Sequence, residues 1–352
     1  MNLPKGILFV SLFSLAFIGC AKDEQSDLTS GNTAPRNFFV VSNQFPLSQS
    51  NEVAEVKVYT YHPSENRVHR VIFKYSDLIN RAIEHKRANP KDEIDINFAL
   101  YQISKKIYVG INPNHPTYGQ VNGSDFAGVD GEHSEKLVTT IGRAFRAGIK
   151  MRLLYHNPKG DNGIAEFFGS SVGPSQIRRT AWGTEGRQQM HNKFLTVLIR
   201  REGKPISHAV YTSTSNGDEF DEDYTPVFDV SQTGVLVRGN AKLHAAYTRY
   251  FDVLWDYSFK TLSQFHDRMD VLHRAKALNH KDEHFAAYFF PMPKLDSPRG
   301  PKLALGTEDD HAAGWVAEYN PIAAMVNRVQ MSKGPRHVKI LSYYCGSTNG
   351  VD

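Results

Sequence analysis

The sequence predicts an α/β protein in which a mixed β-sheet is sandwiched by helices. Two observations support this fold class. Short runs in which apolar and polar residues alternate, as they do in strands, follow one another along the chain with runs of helical periodicity between them. Polar turns separate these runs, and strand–helix alternation is typical of layered α/β packing. With 352 residues the chain is long enough to bury a sizeable core in one large domain or two.

The predicted fold begins with a β-hairpin over residues 52–75, because two alternating runs flank a polar turn. A helix is predicted to follow, with Ser76 or Asp77 as its cap and Pro90 beyond its end. The apolar positions of this helix are Leu78, Ile79, Ala82 and Ile83. Their spacing places them on one helical face, which we expect to be buried.

The next elements repeat the strand–helix alternation. Residues 93–101 alternate as a strand, and a polar, glycine- and asparagine-rich loop covers about residues 110–132. A helix is predicted from Ser134 to Ala147, stopped by Gly148. The apolar positions of that helix are Leu137, Val138, Ile141, Ala144 and Phe145. The following segment, "IKMRLLY", predicts another strand.

Residues 191–199 and 206–215 predict two strands joined by a polar turn, and residues 226–237 predict a further strand. A helix begins at Asn240. Its stripe of large apolar residues consists of Leu243, Tyr247, Tyr250, Phe251 and Leu254. This spacing is more typical of a buried core face than of a cofactor pocket. Residues 260–320 show no regular period.

The first twenty residues predict a lipoprotein-type signal peptide, residues 1–20. Lys5 precedes an apolar run, residues 6–18, that is too short for a stable membrane anchor. The run ends in "LAFIGC", which resembles a bacterial lipobox with Cys20 as the lipidated residue. The alternative is an ordinary secretory signal with a chance cysteine. Residues 21–36 are polar and suit a tether.

Composition limits the other classes of function. The chain contains two cysteines, Cys20 and Cys345, so its sequence has no disulfide framework and no Cys/His zinc spacing. We expect no cofactor and no metal. The formal net charge of +4 is too small to argue for nucleic acid on electrostatic grounds.

The segment "RQQMHNKFLTVLI" carries His191 and Lys193 within an apolar, strand-like run. Side chains two positions apart share one face of a strand and are separated by about 7 Å along it. An imidazole and an ammonium on one face form a site for an anion. The alternative interpretation is a strand at a sheet edge with two solvated polar side chains.

The segment from about Asp77 to Trp255 resembles the phospholipase D superfamily, whose motif is H-x-K-x4-D followed by G-S-x-N on the next strand. His191, Asn192 and Lys193 match H-x-K, and "STSN", which ends at Asn216, stands where G-S-x-N belongs. The resemblance covers about half of the chain.

This resemblance implies a phosphodiesterase mechanism. His191 would attack phosphorus and form a phosphohistidine, while Lys193 and Asn216 stabilise the non-bridging oxygens. A second histidine, from a second copy of the motif, would protonate the leaving alcohol. Asp229 is the candidate carboxylate that orients His191, the alternative being an ordinary aspartate at a strand end.

Two features depart from the family pattern. The aspartate of the motif falls at Leu198, on the opposite strand face from His191 and Lys193, which makes its usual role structural support. The separation of His191 from Asn216 is also longer than in the family, and we expect the hairpin turn between them to absorb the difference.

An internal repeat suggests a duplicated architecture. The segments that begin at Leu78 and Met325 both contain apolar–apolar–Asn–Arg–apolar, a basic turn and an apolar run ending in tyrosine, so Asn80 corresponds to Asn327. The expected domains are a first phospholipase D-like unit at 37–262, a linker or inserted segment at 263–318, and an incomplete second unit at 319–352. We expect the chain to be a fragment of a two-motif enzyme with a truncated second half. The alternative is a complete chain that pairs its single motif in a homodimer.

The expected function is an exported phospholipase D-like phosphodiesterase that cleaves phospholipid headgroups or transfers them to an alcohol. The expected location is the bacterial cell envelope, lipid-anchored at the outer membrane or in the periplasm, or the secreted fraction. The lipid anchor would make the membrane surface a partner. One alternative is a nuclease of the same superfamily, for which nucleic acid would be the substrate. Another is a surface-binding relative that has lost catalysis.

Overall fold

The computed structural model describes part of the chain in thirteen segments. These are residues 8–11, 15–16, 55–61, 70–105, 110–111, 134–157, 160–161, 163–169, 172–182, 190–215, 232–281, 285–289 and 341–342. The chain divides into two units. The larger unit is Thr29–Thr261, and the smaller combines Met1–Leu28 with Leu262–Asp352.

The larger unit contains nine strands and four helices within its described segments. The strands are β3 (Glu55–Tyr61), β4 (Glu93–Leu100), β5 (Gly110–Ile111), β6 (Ser134–Glu135), β7 (Lys150–Tyr155), β8 (Ile177–Arg179), β9 (Lys193–Arg201), β10 (Lys204–Ser213) and β11 (Gln232–Arg238). The helices are α1 (Arg70–Ala88), α2 (Leu137–Arg146), α3 (Ile164–Phe168) and α4 (Ala241–Tyr257).

Seven of these strands form one mixed sheet in the order β3-β11-β10-β9-β4-β7-β8. Strands β4, β7 and β8 run parallel to one another. Strand β9 is antiparallel to β4 and forms a hairpin with β10, and β11 and β3 continue the antiparallel half. The mixed sheet of the expected fold class is therefore confirmed.

Helices cover both faces of this sheet, as the sequence predicted. The main hydrophobic cluster joins α1 and α2 to one face, where Leu195, Val197 and Ile199 of β9 lie. On the opposite face, Phe194 contacts Tyr247 of α4 with ring centroids 5.2 Å apart. Alternation along β9 thus supplies one core layer to each side of the sheet.

The apolar faces predicted for three helices are buried. The predicted core positions of α1 and α2, Phe145 excepted, are at most 3% exposed, and Phe145 packs partly buried against the cluster. The aromatic stripe of α4 is likewise buried. Helix α4 begins at Ala241, one residue after the predicted start, and the Asn240 side chain accepts a hydrogen bond of 2.8 Å from the backbone N–H of Leu243. This is the geometry of a helix N-cap.

The hairpin predicted over residues 52–75 is wrong in its second arm. Strand β3 is present, but it pairs with β11, and α1 begins at Arg70, upstream of the expected Ser76 or Asp77. The misassigned residues Val71, Ile72, Phe73 and Tyr75 are all buried. Because this first turn is buried on nearly every side, its sequence lacks the polar positions that reveal a helical period.

Other boundaries differ by a few residues. Strand β9 begins at Lys193, two residues after the predicted start, and α2 begins at Leu137 because Ser134 and Glu135 form the short strand β6, which pairs with β5. The described part of the strand predicted at 226–237 is β11. The earlier residues of that prediction lie outside the described segments.

The smaller unit contains α5 (Leu262–Arg274), which the sequence did not predict. It buries Phe265 and Met269 on a mostly polar helix, so its period is weak in the sequence. A second sheet has the order β12-β13-β1-β2-β14. Its strands are β1 (Leu8–Ser11), β2 (Leu15–Ala16), β12 (His280–Lys281), β13 (Phe285–Tyr288) and β14 (Leu341–Ser342). The signal peptide, the tether and the second, truncated unit stay predictions.

Candidate active site

Three strands of the large sheet bring their ends together at one edge. Parallel strands β4 and β7 end side by side, with Leu100 paired to Tyr155. Antiparallel strand β9 begins at the same edge, with Lys193 paired to Leu100. The residues just beyond these ends are Tyr101, His156 and His191. Pairing in the sheet therefore gathers side chains that are far apart in the sequence.

His191 and Lys193 meet at this edge. Lys193 Nζ lies 3.1 Å from His191 Nε2 and 3.4 Å from the carbonyl oxygen of His191. Lys193 is only 3% exposed, whereas His191 is partly exposed. Because an ammonium only donates hydrogen bonds, Nε2 accepts and the ring proton of a neutral His191 lies on Nδ1. The imidazole and the ammonium are thus in contact, and their role as a site for an anion stays a prediction.

The surroundings of His191 favour its neutral form. Burial, followed by the charge of Lys193 and then by His156, lowers the pKa of His191 to about 3. Each cause disfavours a positive charge on the ring. At pH 7 the imidazole is therefore uncharged, which is the form that can act as a nucleophile.

Tyr101 contacts both members of this pair. Its ring centroid lies 4.5 Å from that of His191 in an edge-to-face arrangement, and the Lys193 ammonium lies 5.3 Å from the Tyr101 ring centroid. The second distance is within the range of a cation–π interaction. Tyr101 was not predicted from the sequence as a site residue.

A second imidazole, His156, lies beside Tyr101. The two rings stack with centroids 5.8 Å apart and an angle of 14°. His156 is 1% exposed, and its Nδ1 atom is hydrogen-bonded to the hydroxyl of Thr180. Sequence reasoning also missed His156. His156 directly follows β7, and Tyr101 directly follows the neighbouring end of β4. Both residues could have been identified from these positions after strand ends.

The backbone around His156 is held by several hydrogen bonds. Arg179 donates from Nε to the carbonyl of His156 and from Nη2 to that of Asn157, both over 3.0 Å. Asn157 has a positive φ of 47°, and its side chain bonds the backbone N–H and carbonyl of Ile103 over 2.8 and 2.7 Å. This network ties the ends of β4, β7 and β8 together.

Asn192, between the two site residues, faces the other side of the sheet. The Tyr250 hydroxyl of α4 donates to Asn192 Oδ1 over 3.1 Å, and Asn192 is 7% exposed. This contact fixes the chain where β9 begins. The middle residue of the H-x-K segment thus anchors the strand, while the outer two lie at the candidate site.

The end of β10 lies next to the start of β9. The Thr212 hydroxyl donates to the carbonyl oxygen of Lys193 over 3.3 Å, and Ser213 Oγ lies 2.7 Å from the Tyr75 hydroxyl. Ser215, fully buried, is the last described residue of this segment. The predicted site residue Asn216 comes next in the sequence and lies outside the described residues, as do Asp229 and Cys20. Their roles stay predictions.

Leu198 lies on the α4 face of β9, opposite the face of Lys193, as expected. Its partners in the sheet are Asp95 on β4 and His208 on β10. Leu198 is partly exposed there.

The described segments contain neither a membrane-spanning helix nor a cluster of metal ligands. None of the helices there is long and apolar enough to cross a membrane. The same segments contain no group of three or more histidine, cysteine, aspartate or glutamate side chains placed to hold a metal ion.

Comparisons with known proteins give partial similarity to solved structures. No family model matches the chain, and no curated protein matches it. Among solved structures, the chain is similar to a phospholipase D family member, Nuc from Salmonella typhimurium, with 14% sequence identity and a TM-score of 0.32. The similarity covers 58% of this chain and 95% of the other. What the chain does must therefore be inferred from the side chains at the sheet edge.

Proposed function

We propose that the protein is an exported phosphodiesterase of the phospholipase D type, which cleaves phospholipid headgroups or transfers them through a phosphohistidine intermediate. The observation that carries the proposal is the contact of 3.1 Å between Lys193 Nζ and His191 Nε2 at the edge of the sheet. This contact supports the proposal because attack on an anionic phosphodiester requires a neutral nucleophile beside a fixed positive charge.

The chemistry begins with an exchange of partners. Without substrate, the lone pair of His191 Nε2 accepts a hydrogen bond from Lys193. A phosphate oxygen is a stronger acceptor for the ammonium than a neutral imidazole is, because the oxygen is charged. When Lys193 turns to the phosphate, Nε2 becomes available for attack on phosphorus.

The covalent step is attack of His191 on phosphorus. A bond forms between Nε2 and phosphorus, the bond from phosphorus to the leaving oxygen breaks, and that oxygen takes a proton from an acid. His156 is an unsuitable acid because it is 1% exposed and stacked on Tyr101. We propose that the acid is a second imidazole, from a second copy of the motif. Water or an alcohol then gives its proton to the same second imidazole and attacks phosphorus, the bond from phosphorus to Nε2 breaks, and His191 is restored as the product leaves.

Two further residues complete the proposal. The Asp229 carboxylate would accept a hydrogen bond from Nδ1–H of His191 and so stabilise the charge that develops on the ring. Asn216, next in the chain after Ser215, would donate its amide to a non-bridging oxygen. Both assignments depend on the sequence motif.

The choice of a lipid substrate depends on the predicted export and on lipidation of Cys20. A lipid anchor would hold the site at a membrane surface, where phospholipid headgroups are the most abundant phosphodiesters. The same site chemistry suits a nuclease, so nucleic acid is the substrate to test against phospholipid.

The test is an assay of the purified full chain on phosphatidylcholine vesicles, single-stranded DNA and double-stranded DNA. Activity should appear on phosphatidylcholine and fall by at least about 10³-fold in His191→Ala. The control is His266→Ala, which removes a partly exposed histidine on α5 and should leave the rate unchanged. Cleavage of DNA without cleavage of phosphatidylcholine would show that the substrate is nucleic acid and not phospholipid. Absence of activity on all three substrates would favour a binding protein.

A further inference from the structure

We propose that Tyr101 is a positioning residue of this site, whose ring holds the His191 imidazole and the Lys193 ammonium in their shared geometry. This inference rests on the proposed function of those two side chains. Tyr101 belongs to a different strand end and to no part of the H-x-K motif. It extends the site to a third side chain that the motif does not include.

The ring of Tyr101 meets the two site residues in different ways. Its edge-to-face contact with His191 has centroids 4.5 Å apart and an angle of 65°. Such a contact restricts rotation of the imidazole and excludes water from one side of it. The ammonium of Lys193 lies 5.3 Å from the ring centroid, where the electron-rich face of the ring attracts a cation. One aromatic ring therefore constrains both partners of the 3.1 Å contact.

The base of Tyr101 is itself fixed. Its carbonyl oxygen accepts hydrogen bonds from the backbone N–H groups of His156, over 3.2 Å, and Asn157, over 2.9 Å. Two residues later, the backbone N–H and carbonyl of Ile103 are both hydrogen-bonded to the Asn157 side chain. The neighbouring strand end thus sets the position from which the Tyr101 side chain extends.

His156 supports the ring from within the fold. It stacks on Tyr101 with an angle of 14° between the rings, and its Nδ1 bond to Thr180 fixes its own orientation. At 1% exposure it has no access for a substrate. Its place in the site is to back the ring that contacts His191.

The surroundings of Tyr101 differ from those of an ordinary core residue. Among the described residues, the main hydrophobic cluster of the sheet includes Leu100 and Ile103, its neighbours in the sequence, and excludes Tyr101. Tyr101 is nevertheless 92% buried, since only 8% of its surface is exposed. Its ring is buried against His191 and Lys193, so its removal should affect these two side chains specifically.

Loss of the ring should act on orientation more than on substrate affinity. Lys193 and His191 would gain rotational freedom, and a small misplacement of reacting groups costs up to about 10²-fold in rate. The imidazole would also gain water. Since burial is the largest cause that lowers the pKa of His191, that pKa should rise toward its ordinary value.

The experiment compares Tyr101→Leu, Tyr101→Phe and the control Tyr155→Leu in the full chain. Tyr155 ends the neighbouring strand, is also buried and belongs to the hydrophobic cluster. The first readout is kcat and KM on the substrate found by the assay above. Tyr101→Leu should lower kcat by about 10- to 100-fold with KM changed less than about threefold, whereas Tyr101→Phe, which keeps the ring, should stay within about threefold of wild type.

The second readout needs no activity. It is the titration of His191, followed by NMR of chains labelled at the histidine ring and assigned by the signal missing in His191→Ala. Tyr101→Leu should raise the His191 midpoint by about one pH unit or more, and Tyr155→Leu and Tyr101→Phe should leave it unchanged. If Tyr101→Leu does not fold, Tyr101→Met, a flexible side chain of similar length without a ring, takes its place.

The two readouts separate the possible failures. An inactive wild-type chain in which Tyr101→Leu still shifts the His191 titration would overturn the proposed function and keep the positioning role. A Tyr101→Leu chain with an unchanged midpoint and wild-type kcat would overturn the positioning role. Equal shifts in Tyr101→Leu and Tyr155→Leu would also overturn it, because the effect would then be one of general packing.

Discussion

The ammonium of Lys193 donates to Nε2 of His191 across 3.1 Å, although Lys193 is only 3% exposed and the two residues belong to one short segment. This contact has two effects. It keeps a positive charge beside the imidazole, which lowers the pKa of His191, and it occupies the lone pair that the proposed reaction uses. In the proposed mechanism, a bound anion would take over this hydrogen bond and free Nε2.

The first prediction concerns Lys193→Ala. Removing the ammonium should lower kcat by about 10²- to 10³-fold, because the phosphate loses its fixed positive charge. It should also raise the His191 titration midpoint above the value of about 3 in the intact site, because a neighbouring cation is gone. The control is Lys150→Ala, which removes an exposed lysine paired with Glu93 at the other end of the sheet. Equal rates for the two variants would remove Lys193 from the site.

The second prediction concerns pH and a pair of histidines on the opposite face of the sheet. His208 on β10 and His244 on α4 have ring centroids 5.3 Å apart, and both are buried. Burial, then His208 and Arg200, lowers the pKa of His244 to about 3. Burial and Arg200 also lower the pKa of His208. Both rings are therefore neutral in the folded protein at pH 7.

The sign of the effect follows from these pKa values. The unfolded chain binds a proton on each ring near pH 6.5, while folded His244 does so only near pH 3. The contribution of the neutral ring to the free energy of unfolding is therefore fully present above pH 6.5. It falls as the pH decreases toward 3, by up to about 1.4 kcal/mol per pH unit for one such ring. His244→Phe should show a smaller loss of unfolding free energy between pH 7 and pH 5 than wild type in urea titrations. The same slope in both chains would contradict the assignment, and His266→Ala is the control.

The third prediction concerns two glycines in the larger unit. A Cβ at Gly234 on β11 would collide with the ring and hydroxyl of Tyr211, which is fully buried and donates to the carbonyl of Val71 over 2.6 Å. Gly234→Ala should therefore destabilise the fold by about 1–3 kcal/mol through overpacking. At Gly142, within α2, the nearest atom outside the local helix backbone would be 3.5 Å away.

Gly142→Ala is the matched control, because alanine has the higher helix propensity and meets ordinary contact distances there. It should change stability by about +0.5 to +1 kcal/mol. The measurement is the denaturant midpoint of each variant. If Gly234→Ala were as stable as Gly142→Ala, the close packing of Tyr211 against β11 would be wrong.

Much of the fold could be predicted because its sequence signals are local. Strand β4, helix α2 and the β9–β10 hairpin each carry their own period, and Asn240 marks the start of α4. The first turn of α1 could not be predicted. Its residues Val71, Ile72, Phe73 and Tyr75 are buried, and this nearly unbroken apolar run fits a strand as well as a buried helical turn.

The site divides in the same way. His191 and Lys193 are two positions apart, so their proximity could be predicted from the sequence, although His191 lies just before β9. Tyr101 and His156 join them only because β4 pairs with both β7 and β9, and the order of strands in a sheet is not contained in the period of any one segment. A sequence without aligned relatives offers no signal for such pairings beyond the polar and aromatic residues that follow strand ends.

The fourth prediction concerns Cys20 and the proposed lipid anchor. Cys20→Ser should turn a protein that sediments with membranes into one that is soluble or unprocessed, because the acceptor thiol for the lipid is lost. The measurement is fractionation of cells that express each form, with metabolic labelling by a fatty acid. Equal membrane partitioning of both forms, without label in either, would rule out lipidation.

The central claim is that His191 carries the phosphoryl group during turnover. The most direct measurement is to quench the reaction of the purified chain with its substrate under alkaline conditions, which preserve phosphohistidine, and to locate the adduct by peptide mass spectrometry. We predict an adduct on His191 that is missing in His191→Ala and accumulates less in Lys193→Ala. An active enzyme with its adduct on another residue, or with undiminished turnover in His191→Ala, would contradict the mechanism.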